Sequence, residues 1–169
     1  MEEKITNKVS ESGIVSLDLA AYIPEAMDVF DIKEFLFMGQ ILKEKEFREA
    51  LKKEDWEKRR NKNVAVFCSV DAIIPVWAYM LAVSYLQPVA KEIVFGDEKE
   101  LYRSLFIKNI SKINCNEFAD KRVVIKGCGE KKIDEYAYVE ITKRLQPVVK
   151  SIMYGEPCST VPIYKNNTN

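Results

Sequence analysis

Apolar and polar positions fall in blocks along this chain, and one sequence of blocks occurs twice. Val64–Phe67 is a short apolar run rich in β-branched residues, bounded by Lys62-Asn63 and Cys68-Ser69, and reads as a buried strand. Pro75 suits the first turn of a helix, where its missing N–H costs nothing; the apolar stretch after it predicts a helix to about Leu86, stopped by Pro88. Val89–Phe95 reads as a second strand. The stretch Lys62 to Gly96 recurs without a gap from Lys121 to Gly155, 59 residues on, keeping Ala78-Tyr79 as Ala137-Tyr138 and Leu86-Gln87-Pro88-Val89 as Leu145-Gln146-Pro147-Val148. There Val123–Lys126 is the strand, Asp134 the N-cap, 135–145 the helix and Val148–Tyr154 the closing strand.

Strand, helix of more than ten residues and strand, twice over, predict βαβ units with parallel pairing and right-handed crossovers. Between them Asp97 and Glu100 form a capping box that opens a helix over 98–110, expected to join the repeats into one continuous open sheet. Ahead of the repeats, Ile14–Leu19 suits a strand, and Lys43–Lys53 a helix whose end Trp56 pins to the core. Asp31-Ile-Lys-Glu34 has the form of a capping box and predicts a short helix over 32–38, with a strand through Phe35–Phe37 as the alternative. The expected fold is α/β: an open, mostly parallel sheet with helices on both faces, built from the tandem βαβ repeat (62–96 and 121–155) behind an N-terminal α+β segment. The length suits a single domain over 1–169.

The two helices of the repeat differ. The stretch Val76 to Leu86 carries no charge on any face, whereas 135–145 is amphipathic. A helix apolar all round has to be covered all round, either by the N-terminal segment or by a second subunit. A homodimer through 76–86 is therefore one expectation, and a non-catalytic interaction or scaffold role goes with it.

Lys plus Arg and Asp plus Glu both number 26, so no net field favours nucleic acid or anionic lipid. The basic run Lys58 to Lys62 reads as a solvated connection. No apolar run is long enough to span a bilayer, and the opening residues lack the apolar core of a secretory signal. Reduced thiols in the cytoplasm are the expectation for four cysteines in this setting. The chain has no histidine. Ser-His-Asp and Cys-His catalysis are thereby excluded, as is every zinc arrangement that needs imidazole. The glycines match neither a dinucleotide fingerprint nor a P-loop, so no nucleotide is expected.

Three cysteines sit at comparable places. Cys68 ends the first repeat strand, Cys128 lies just past the equivalent strand, and Cys158 follows the last one. Parallel sheets hold ligands at the carboxyl ends of their strands, so the three thiols are expected on one rim. Thiolates favour zinc, or an iron–sulfur cluster, over hard cations; Asp71 could complete a zinc site formed with Cys68, Cys128 and Cys158. Two other readings stand beside it. Cys68 and Cys128 each precede a helix and could serve as a nucleophile, with Gly127 and Gly129 giving backbone N–H groups room to approach a substrate. Equally, each cysteine could be a small buried hydrophobe, as expected for Cys115.

At Cys68-Ser-Val-Asp71-Ala-Ile-Ile-Pro75, at Lys126-Gly-Cys128 and at Gly155-Glu-Pro-Cys158-Ser-Thr-Val-Pro-Ile-Tyr164, the chain resembles a bacterial family catalogued only as a domain of unknown function. Phe30-Asp-Ile-Lys33 and Lys45-Glu-Phe-Arg48 share in the likeness. It implies a domain spanning nearly the whole chain in a bacterial cytoplasm, with no activity to carry over.

Overall fold

The computed structural model describes residues 13–126, 132–156 and 158–166. The chain divides into two compact units, unit I over Pro24–Leu105 and unit II made of the residues up to Ile23 and from Phe106 onward. Unit I holds β2 (Met27–Asp31), α1 (Glu44–Lys53), β3 (Asn63–Phe67), α2 (Val76–Leu86) and β4 (Glu92–Phe95). Unit II holds β1 (Ile14–Asp18), β5 (Arg122–Lys126), α4 (Glu135–Leu145), β6 (Ser151–Glu156) and β7 (Ser159–Lys165). The helix α3 (Glu98–Ser111) begins in unit I and ends in unit II.

The α/β class is as expected, and the pairing is parallel except between β6 and β7. The expectation of one continuous sheet fails. Two sheets form, ordered β2-β3-β4 and β1-β5-β6-β7. Each central strand takes its outer neighbour from the N-terminal segment, which satisfies both of its hydrogen-bonding edges without the other repeat.

The repeat therefore reaches further than its sequence signal. β1 begins opposite Arg122 and β2 opposite Asn63, positions separated by the same 59-residue spacing. Asn61 and Asp120 both adopt positive φ, 60° and 57°, and each sends its N–H to a carbonyl 2.9 Å away, Val89 and Val148. Gly96, just past β4, and Gly155, next to last in β6, have φ of 134° and 119°, a region closed to most side chains.

In unit I the alternation along β3 sorts the core. Val64 and Val66 face a cluster with Phe30, Phe47, Leu51, Ala78, Ala82 and Leu86, while Ala65 packs with Leu101 and Leu105 of α3. Helices thus cover both faces of that sheet. Trp56 donates its indole N–H to Leu51 O at 2.9 Å and stacks on Phe30 and Tyr85, ending α1 against the core as expected. Asp31 caps a 3-10 turn over Ile32–Phe35 and not the predicted helix, because Leu36 returns to extended geometry and its N–H closes on Lys33 O. The strands after α2 and α4 start late, since Val89, Ala90, Val148 and Val149 still bond back to the helix ends.

Candidate functional site

The carboxyl ends of β2 and β3 bring together Asp31, Cys68, Ser69 and Tyr79. Asp31 ends β2, and one of its carboxylate oxygens accepts the N–H of Lys33 and that of Ser69, both at 3.0 Å. Burial pushes the Asp31 carboxyl up, but hydrogen bonds from the Ser69 side chain and from those two N–H groups outweigh it and hold it below its ordinary value. Cys68 is half-buried, and its thiol donates to Val70 O at 3.5 Å. Tyr79, at the end of the first turn of α2, has its phenol pKa raised by burial and by the nearby Cys68 and Asp31. Its ring meets Phe95, at the end of β4, edge-on at 5.4 Å.

Unit II builds the corresponding strand ends from different residues. Lys126 stands where unit I has Phe67, its register partner is Asp18, and its ammonium pairs with Glu156 at 2.7 Å. That bond raises the pKa of the Lys126 ammonium against desolvation, with the charges of Glu156, Asp18 and Cys158 adding to the effect. Asp18 caps its own 3-10 turn by accepting Ala20 N–H at 2.9 Å, as Asp31 does in unit I. Tyr138 and Tyr154 repeat the edge-on ring pair at 5.6 Å.

The predicted ligand set is divided. Cys68 and the exposed Asp71 lie in unit I, the exposed Cys158 lies in unit II, and Cys128 lies outside the described residues. Among the described residues no group of three or more Cys, Asp or Glu is placed to hold a metal. Cys115 is half-buried and donates to Ile113 O at 3.7 Å, a packing role. Sequence reasoning missed Asp31, Lys126 and Glu156 at the strand ends. The signal for Asp31 was present in its capping box, but that pattern was read as a helix start alone.

α2 is covered on one side only. Ala78, Ala82 and Leu86 are buried with Phe30 and Ile32 of the N-terminal segment. On the other side Val76 is 74% exposed and Met80 67%, flanked by Ile73 at 94% and Phe95 at 72%. In α4 the same face carries Val139, Thr142 and Lys143, and Lys143 pairs with Glu140 at 2.6 Å.

Residues 3–166 match the family described as "Protein of unknown function (DUF2480)". The chain belongs to that family. The match runs through both units of this chain. No curated protein and no solved structure matches the chain. Among the described residues, no helix of this DUF2480 protein is long and apolar enough to cross a membrane.

Proposed function

We infer that this DUF2480 protein is a non-catalytic interaction module that pairs with a second copy of itself through the exposed face of α2. The uncovered apolar surface of that helix carries the reading. Val76 and Met80 lie one turn apart, Phe95 meets Tyr79 of the same helix edge-on, and the exposed Ile73 lies three residues ahead of Val76. Together these four side chains expose on the order of 500 Å² of apolar surface, most of the roughly 800 Å² that each partner contributes to a standard interface. Single exposed hydrophobes are ordinary, whereas apolar patches of this size are often functional.

A second copy is the fitting occupant because the face has no charge of its own. A two-fold contact sets a surface against itself, so any charge near the axis would meet its like. α2 has no ionisable group except its tyrosines, and its counterpart α4, which has Lys143 on this face, shows that the architecture does not demand such a surface. Light scattering over a range of concentrations tests the reading. A dimer mass at micromolar protein supports it, and a monomer at high concentration refutes it.

The thiols support a second reading. Cys68 and Cys158 are free and follow the carboxyl ends of β3 and β6, and with Cys128 and Asp71 they make a donor set suited to zinc or an iron–sulfur cluster. That reading predicts about one equivalent of metal in protein purified without chelator. Metal far below one equivalent, with all three thiols freely alkylated, would remove it.

A further inference from the structure

Unit II has a second concave surface at the opposite edge of its sheet, where β1, β5 and β6 begin and β7 ends. Ile14, Arg122, Ser151 and Lys165 are successive register partners there. Cross-strand partners project to one face, so this row places Arg122 and Lys165 on either side of Ser151, two strand spacings or about 10 Å apart. The next row on that face supplies Met153 and Pro162. These six residues line most of a cavity of about 360 Å³, and Lys150, next to Ser151 on β6's approach, adds a third cation to its wall. No acid lines it, and among the described residues neither Arg122 nor Lys165 has an acidic partner.

The corresponding edge of unit I lacks this character. Asn63 stands in place of Arg122, is buried and donates to Glu25 O at 2.8 Å. Glu92 stands in place of Ser151, and Lys62 is paired with Asp28 at 3.3 Å. No strand there corresponds to β7, which brings Pro162 and Lys165. The cationic row therefore arises where the two copies differ, in a chain whose positive and negative residues balance.

We propose that this pocket binds an organic phosphate monoester with a compact apolar body. The phosphate sits over Ser151 between Arg122 and Lys165, and Ile14, Met153 and Pro162 receive the body. Arg122 offers paired N–H donors, Lys165 a point charge and Ser151 a hydroxyl, which together match the three terminal oxygens and double charge of a phosphate monoester better than a single-charged carboxylate. The cavity volume falls within the range of small-molecule sites. This site is independent of the α2 face and of the thiols.

Phenyl phosphate titrated into labelled full-length protein, followed by amide chemical shifts, tests the assignment, with inorganic phosphate and benzoate as companion ligands. Phenyl phosphate is expected to produce saturable shifts centred on Arg122, Ser151 and Met153. Arg122→Gln and Lys165→Gln should each weaken binding about tenfold, the loss of one charge-assisted contact. Inorganic phosphate should bind the same residues more weakly, for want of the apolar body. Non-saturating shifts, benzoate binding as tightly as phenyl phosphate, or wild-type affinity in both variants would each overturn the proposal. Both substituted side chains are exposed, and if one variant failed to fold the other would still decide the matter.

Discussion

Asp31→Ala is the sharpest test of the strand-end geometry. Asp31 caps the 3-10 turn through Lys33 N–H and ties the residue after Cys68 to β2 through Ser69 N–H, both at 3.0 Å. Loss of a cap costs about 1 kcal/mol. Freeing the second N–H adds about 0.5–1 kcal/mol, the lower part of the usual range because that group reaches solvent. The expected loss is about 1.5–2 kcal/mol, with Asp31→Asn, which keeps an acceptor oxygen, losing about half of it. Asp18→Ala, with one described N–H bond, should cost about 1 kcal/mol. Urea unfolding at about pH 6 measures each value. The pH dependence carries a sign. The folded-state carboxyl lies below its ordinary value of 3.8, so its contribution is whole above that value and is lost as pH falls through the lower folded-state one. The gap between wild type and Asp31→Ala should shrink across that window. An Asp31→Ala protein within about 0.5 kcal/mol of wild type, or a gap undiminished in acid, would refute the argument.

Gly155→Ala should destabilise by about 1–3 kcal/mol, because the residue sits at φ 119° and a Cβ would lie 2.6 Å from Ser159 O. Gly96→Ala, with φ 134° and a Cβ 2.7 Å from Glu100 Cβ, should cost a similar amount, since that atom is fixed to the backbone of α3; a loss below about 0.5 kcal/mol for either variant in thermal unfolding would contradict this. Iodoacetamide labelling read by peptide mass spectrometry should modify the exposed Cys158 before the half-buried Cys68 and Cys115, whose thiols donate to Val70 O and Ile113 O. Faster labelling of Cys68 would point to thiol activation at the β3 end.

Much of the fold is legible in the sequence because βαβ units announce themselves by periodicity. The strands at Val64–Phe67 and Val123–Lys126, the helices at 76–86 and 135–145 and the helix from Glu98 all stand where their patterns place them. What stayed hidden is pairing. β1 and β2 share only Asp18 and Asp31 and a flanking apolar residue on each side, too short a likeness to reveal that each serves one copy of the repeat. Without that, the two repeats looked like one sheet. The cysteines expected on one rim belong to different units, Cys68 after β3 in unit I and Cys158 after β6 in unit II. The phosphate row was equally invisible, because Ile14, Arg122, Ser151 and Lys165 come together only through register. The lack of charge on α2, by contrast, showed that the helix needs cover but left open whether the N-terminal segment or a second subunit supplies it; the N-terminal segment covers one side.

Sedimentation velocity of the wild type beside Met80→Glu tests the central claim most directly. Met80 is 67% exposed in the single chain, so the substitution should leave the fold and its unfolding midpoint nearly unchanged. In a two-fold contact it would bury two carboxylates close together, and the dimer dissociation constant should rise by about 100-fold or more. The account predicts a wild-type dimer and a folded Met80→Glu monomer at the same concentration. A wild type that sediments as a monomer, or a variant that remains a dimer, would contradict it.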